Sequence, residues 1–208
     1  MAAGSSICRV ILASANRGKL RELEVLLAPL GWELIAQQQL GVAPAVESGA
    51  TFLENALIKA RHASAAAALP ALADDSGIEV EALGGRPGVR SARYAGEHAS
   101  DRENLEKLLQ ELRGAAVAPE QRRARYRCVI AYVRSATDPR PLIAEGQWEG
   151  TLAAVPRGTG GFGYDPIFVP RGESRTAAEL APGEKDAVSH RAQALSSLLR
   201  QLRSQDTP

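Results

Sequence analysis

The sequence predicts an α/β protein, and three observations carry that prediction. Strand-like and helix-like patterns alternate along the whole chain instead of segregating into blocks. The opening reads as strand, polar loop, helix and second strand, a βαβ-like unit. Three capping boxes, starting at Thr51, Ser100 and Thr176, mark well-separated helix starts. The 208 residues suit one large domain or two small lobes, and a chain of that length buries roughly 70% of its unfolded surface.

Taken in order, Val10 to Ala13 is a short apolar strand. Leu20, Leu23, Leu27 and Leu30 then share one helical face, and Gly31 is a natural stop. Trp32 to Ala36 reads as the next strand. Thr51 and Glu54 open a helix through Ala56, Leu57 and Ala60 towards Ala68, where Pro70 forces a turn into the strand Ala71-Leu72-Ala73. After Asp74-Asp75-Ser76-Gly77, the residues Ile78, Val80 and Ala82 alternate with Glu79 and Glu81, the period of a strand with one wet face, up to Gly84-Gly85. Ser100 and Glu103 open a helix carrying Leu105, Leu108, Leu109 and Leu112. Arg125 to Arg134 alternates around Cys128, Ile130 and Tyr132 as a strand. Leu142 to Val155 is one strand or a bent pair, with Gly146 and Gly150 as bulge or turn points. Thr176 and Glu179 begin a short helix, and Pro182 to Arg203 forms the last, with Val188, Leu195, Leu198, Leu199 and Leu202. Pro119 to Arg123 and Thr137 to Pro141 read as surface excursions, and residues 1–7 and 204–208 as frayed ends.

Composition narrows the function classes. With 45% hydrophobic residues but only 4% aromatic, Ala and Leu must fill much of the interior. Lys and Arg number 25 against 24 Asp and Glu, a net charge of +1 that gives no support for gripping a long nucleic-acid backbone. Any anion site must be local. Cys8 and Cys128 stand far apart outside any C-x-x-C pattern, which argues against a zinc cluster or disulfide scaffold and reads both as small core residues. The chain shows neither a charged leader followed by an apolar stretch nor a run approaching a membrane span, so a cytoplasmic enzyme or binding protein is expected.

Four polar clusters are candidates for chemistry. Asp74-Asp75-Ser76-Gly77 is either an Asx turn or a divalent-cation site, since hard carboxylate oxygens suit Mg²⁺, which usually takes one or two protein ligands and leaves the rest to water and phosphate. Glu47, just before the Thr51 cap, would be a second ligand beside Asp75. Asn55 and Lys59, four apart on the helix that follows, read as a surface pair. The loop Ser14 to Lys19 lies between the first strand and helix, where free backbone N–H groups favour an anion, although it lacks the P-loop spacing. Gly158 to Pro166 is rich in glycine, which lets backbone approach a ligand, and Phe162 or Tyr164 can stack on a flat base for about 1–3 kcal/mol. Lys185, His190 and Arg191 gather donors at the start of the last helix, and an Arg can fork onto a keto oxygen or ring nitrogen.

In order, these segments resemble the inosine/xanthosine triphosphate pyrophosphatase family, the Ham1-like hydrolases of non-standard purine nucleotides. The resemblance rests on S-x-N-x-x-K from Ser14 to Lys19, E-S-G-x-T-F-x-E-N-A from Glu47 to Ala56, and A-D-D-S-G from Ala73 to Gly77. It continues through L-G-G-x-P-G, S-A-R-Y-A-G, G-F-G-Y-D-P and E-K-x-x-x-S-H-R, ending at Arg191. What it implies is a single catalytic domain over 1–208, with an elongated mixed β-sheet, flanking helices and two lobes around a central cleft. The implied reaction is hydrolysis of XTP, dITP and ITP to the monophosphate and pyrophosphate, with Mg²⁺, usually as a homodimer.

Carried over by motif, Ser14, Ala15, Asn16, Arg17, Gly18 and Lys19, with Lys185, would hold the triphosphate. Phe162, Gly163, Tyr164 and Asp165, with His190 and Arg191, would hold the base, and Ser76 would contact substrate. Asp75 would be the acid–base residue and, with Glu47, a metal ligand. Arg191 and Lys185 only donate, so they would pair with the 6-keto oxygen of hypoxanthine or xanthine and oppose the 6-amino group of adenine. The same contact would not reject guanine. Two alternatives stay open: a pyrophosphatase for other modified nucleotides, like the related septum-associated family, and a non-catalytic nucleotide-binding regulator.

Overall fold

The structure is a computed structural model that describes residues 8–118 and 121–205, without the side chains of Arg17 and Gln205. Its six strands are β1 (Arg9–Leu12), β2 (Glu33–Ala36), β3 (Ala71–Val80), β4 (Arg123–Val133), β5 (Leu142–Leu152) and β6 (Phe168–Pro170). They form one sheet in the order β2-β1-β3-β4-β5-β6. The sheet is mixed, because β1 runs parallel to both β2 and β3 while β6 runs antiparallel to β5. Among the described residues five α-helices accompany it: α1 (Arg17–Leu27), α2 (Phe52–Ala67), α3 (Asp101–Gly114), α4 (Pro182–Val188) and α5 (His190–Gln205). No helix among the described residues is long and apolar enough to cross a membrane.

The chain divides into two compact units, one comprising Met1–Asp75, Val129–Ala144 and Leu195–Pro208, the other Ser76–Cys128 and Glu145–Ala194. The first holds the βαβ opening. α1 buries Leu23 and Leu27 as their spacing predicts, and Gly31 ends the turn after it with φ +63°. α2 starts at the Thr51–Glu54 capping box and packs on β1, burying Ala56, Ala60 and Ala63. In the second unit α3 opens at the Ser100–Glu103 box, and Leu105, Leu108, Leu109 and Leu112 join Ile78, Val80, Trp148, Ile167 and Phe168 in one apolar core.

Several expectations are corrected. Asp74-Asp75-Ser76-Gly77 makes no turn: it lies inside the ten-residue strand β3. Gly77 is there for close approach, since a Cβ would strike the Gly88 carbonyl oxygen and Ser91 Oγ. Ala82 lies past the strand, in a 3-10 turn over Glu81–Leu83. β5 is likewise unbroken, and Gly146 and Gly150 mark tight packing, not bends. The helix expected over Pro182 to Arg203 is two helices, divided at Ser189, whose extended backbone ends α4 and whose Oγ accepts from Ala192 N at 3.2 Å to cap α5. The Thr176 box opens only a 3-10 turn, Ala177–Glu179. Cys8 is half-buried, whereas Cys128 is a core residue. Arg123 already belongs to β4, and Ser204 and Gln205 to α5; residues 1–7, 119–120 and 206–208 lie outside the described residues.

Candidate functional site

In the first unit the predicted anion loop is organised by its own side chains. Asn16 caps α1 by accepting from Lys19 N at 3.1 Å, and Ser14 Oγ accepts from Asn16 N at 3.2 Å. Gln38 Nε2 holds the Ser14 carbonyl at 3.0 Å. Ala15 is exposed and Gly18 half-buried; the Arg17 side chain lies outside the described residues. Lys19 Nζ stands 3.1 Å from Asp74 Oδ2, which is sealed from solvent.

The neighbouring carboxylates converge on α2. Lys59 Nζ lies 2.7 Å from Asp75 Oδ1 and 3.1 Å from Glu47 Oε1, so one ammonium joins both predicted metal ligands. Asn55 Nδ2 donates to Asp75 Oδ2 at 3.3 Å, while its Oδ1 accepts from Gly49 N at 2.8 Å. Glu54 accepts from Ala50 N and Thr51 N, fixing the loop that carries Glu47. Asn55 and Lys59 are therefore not a surface pair. They share a helical face, as their spacing requires, and that face is turned to Asp75.

Burial pushes the Asp75 carboxyl above its ordinary range, with Lys59 and Lys19 only partly offsetting it. For Lys59 burial acts in the opposite sense, yet Asp75, Asp74 and Glu47 outweigh it and hold the ammonium above its usual value. Three carboxylates against two ammonium groups leave an excess of negative charge. Among the described residues no group of three or more His, Cys, Asp and Glu converges to hold a metal ion. The oxygen-only donor set of Asp75 and Glu47, with Asp74 adjacent, still fits a hard divalent cation that keeps most of its positions for water and phosphate.

The second unit assembles the other predicted residues, beginning with Ser76. Its Oγ accepts from Arg191 Nη2 at 3.0 Å, and Arg191 is among the largest fully buried side chains. Arg191 Cζ and Lys185 Nζ lie 5.8 and 4.9 Å from the Phe162 ring centroid, a double cation–π contact on a half-buried ring. Asp165 ties the group together: its Oδ2 accepts from Lys185 Nζ at 2.7 Å and Phe162 N at 2.9 Å, and its Oδ1 from Tyr126 Oη at 3.2 Å. Gly161, at φ +70°, is required here, because a Cβ would collide with Asp165 Oδ2. Gly163 N is held by Asp101 Oδ2 at 2.8 Å.

Two of these residues are placed more closely by the geometry. The Tyr164 ring is core, buried with its hydroxyl donating to the Ser91 carbonyl at 2.9 Å, so Phe162 is the aromatic with a face to offer. Lys185 stands with Asp165 and Phe162 on the predicted base side and sits on α4, not at the start of the last helix. His190 and Arg191 do open α5.

Sequence reasoning passed over three participants. Lys59 and Asn55 are visible only as an i, i+4 pair until the rotation of α2 is known. Tyr126 looks like any inward residue of β4, yet it stacks on His190 with centroids 4.6 Å apart and planes 5° apart.

Comparison with known proteins identifies the family of the chain. A model described as the Ham1 family matches residues 10–201. The chain is 55% identical over 196 residues to the dITP/XTP pyrophosphatase of Shigella flexneri, covering 94% of this chain and 98% of that protein. It is 54% identical over the same length, with the same coverage, to the dITP/XTP pyrophosphatase of Escherichia coli strain K12. Among solved structures, a HAM1 protein from Coxiella burnetii superposes with a TM-score of 0.87 at 49% identity, covering 95% of this chain and all of that one. A nucleoside-triphosphatase / dITP/XTP pyrophosphatase from Mycobacterium abscessus gives 0.73 at 45% identity, over 93% and 99% of the two chains.

Proposed function

This chain belongs to the Ham1 family, and we propose on that footing that it hydrolyses dITP, XTP and ITP to the monophosphate and pyrophosphate. The observation that carries the reading is Asp75, a buried carboxylate shared by Lys59 and Asn55 and followed immediately by Ser76, the partner of Arg191. Both units, in this reading, act as one catalytic domain.

Lys19 Nζ and the loop N–H groups other than those of Asn16 and Lys19, which the Ser14 and Asn16 side chains engage, would receive phosphate oxygens, which suits a helix start bearing a lysine. Mg²⁺, the proposed cofactor, would be held by Asp75 and Glu47 and would neutralise phosphate oxygens and lower the pKa of a bound water. Lys59 now compensates those two carboxylates, and a divalent cation would take over that charge. Asp75 would then stand where it can orient the attacking water and accept its proton.

On the base side Phe162 would supply the stacking face, already polarised by two cations. Arg191 would donate to the 6-keto oxygen, and Lys185 would do the same while anchored on Asp165. An adenine 6-amino group offers these donors nothing to bind, so ATP is disfavoured.

The test is release of pyrophosphate and of orthophosphate from XTP, dITP, GTP and ATP, with Mg²⁺ and with chelator. Mg²⁺-dependent pyrophosphate release from XTP and dITP, far above that from ATP, is expected, and the rate with GTP reads how the pocket treats the 2-position of the base. Orthophosphate as first product would overturn the reaction assigned. Tight binding with no product from any nucleotide would point to the regulator instead.

A further inference from the structure

We propose that Asp101, the first residue of α3, is a positioning residue for base recognition: its carboxylate holds the Gly163 N–H and with it the turn that presents the Phe162 ring. The proposal rests on the reading above of Phe162, with Lys185 and Arg191, as the group that meets the base.

The feet of the turn are tied without Asp101. Gly160 N donates to the Ala178 carbonyl at 3.0 Å, and Ala178 N donates to the Asp165 carbonyl at 3.2 Å. Asp165 also closes the turn on itself, accepting from Phe162 N at 2.9 Å while its own N–H donates to the Phe162 carbonyl at 3.2 Å. The tip, Gly163 and Tyr164, leans on a separate platform. Tyr164 Oη donates at 2.9 Å to the carbonyl of Ser91, in the 3-10 turn Gly88–Arg93, and Gly163 N donates at 2.8 Å to Asp101 Oδ2 on α3. Buried Asn104 joins these two parts of the platform, for it accepts from Ala95 N at 2.7 Å and donates to the Ala92 carbonyl at 3.1 Å. The Ser100–Glu103 capping box fixes the start of α3, where Asp101 stands. Both hooks on the tip thus end on one body.

Gly163 has φ +61°, and the space where its Cβ would stand holds nothing within 4 Å, so no neighbouring wall restrains the tip on that side. The charge-assisted bond to Asp101 supplies that restraint. Its one N–H is thereby engaged, and Gly163 serves the base through the position of Phe162 and not by donating to it. With alanine at 101, water can satisfy the N–H but cannot locate it, which leaves the turn able to pivot on the Tyr164 anchor. A pivot there carries the Phe162 ring away from Lys185 and Arg191, whose cations lie 4.9 and 5.8 Å from its centroid.

With XTP and Mg²⁺, D101A should raise KM about tenfold while kcat changes by less than about threefold, the pattern of lost ground-state positioning. D101N keeps an acceptor oxygen and should lie closer to the wild type than to D101A. Arg102 is exposed and pairs along α3 with Glu106, so R102A is the control and should stay within about twofold of the wild type in both constants. Inorganic tripolyphosphate, which has no base, gives the readout that general damage to α3 would not spare. Its inhibition constant against XTP should be the same in D101A as in the wild type. An unchanged KM in D101A, a D101N or R102A defect equal to that of D101A, or tripolyphosphate weakened in parallel with XTP would each overturn the proposal. A second measurement needs no turnover: the amide proton resonance of Gly163 should move in D101A and stay in place in R102A. A resonance that D101A leaves unmoved would contradict the hydrogen bond outright. Wild-type protein inactive on XTP and dITP, with the Gly163 resonance still moved by D101A, would sink the substrate assignment alone.

Discussion

Asp75 carries its charge where water gives it little support, and its neighbours carry the consequence. Lys59 serves Asp75 and Glu47 together, so its removal leaves two partly buried carboxylates facing each other. Lys59→Met should cost on the order of 3 kcal/mol in denaturant unfolding in the presence of chelator, the range for deleting one partner of a buried pair. Mg²⁺ should restore more of that loss than it adds to the wild type, and thermal melts with and without the metal check this. Equal Mg²⁺ gains would remove Asp75 and Glu47 from the proposed ligand set. At this scale the sequence spoke clearly where a side chain serves its own neighbourhood, as with Asn16 capping α1 or Thr51 and Glu54 closing their box. It was silent on Lys59 and Asp75, which are 16 residues apart and meet only because α2 presents that face.

Among the elements, β3 shows what a residue pattern conceals. An acidic pair followed by Ser-Gly has the composition of a turn, and local hydrogen bonding alone favours one. Lysine partners for Asp74 and Asp75, and a backbone that needs a glycine's bareness at Gly77, keep the segment extended instead. Those reasons are tertiary, so no window of sequence contains them. The caps of α2 and α3 were legible for the opposite reason, being complete within four residues. Gly146 tests the packing directly. Gly146→Ala should lower stability by about 2 kcal/mol or more, because the new methyl meets backbone at the start of α5 and not a movable side chain.

The turn between β4 and β5 gives a pH dependence. Asp138 accepts from Arg134 N and Arg140 N, both at 2.9 Å, and the Arg134 N–H foremost holds its carboxyl below the ordinary range. A depressed carboxyl stabilises the fold above its unfolded pKa, near 4, and that contribution is lost as pH falls through the lower folded value. Asp138→Asn should therefore be less stable than the wild type at pH 7, with the difference shrinking below about pH 4. Urea unfolding at pH 7 and pH 3 decides it, and a gap that persists in acid would contradict the electrostatic origin.

Over the whole molecule, alternating elements, the βαβ opening and the capping boxes carried the α/β class, and the ordered motifs carried the family and with it the mixed sheet, while the strand order and the bounds of the two compact units depend on long-range pairing. The homodimer proposed with the family reading should appear as twice the chain mass in light scattering at micromolar concentration, and a monomer there would contradict it. The central claim is that Asp75 performs the proton chemistry of pyrophosphate release. It is tested most directly by single-turnover release of pyrophosphate from saturating XTP with Mg²⁺, comparing the wild type with Asp75→Asn, alongside equilibrium binding of the same nucleotide. A loss of at least about 100-fold in the release rate with binding changed by less than about tenfold is the predicted result. A variant that releases pyrophosphate at nearly the wild-type rate would contradict the account.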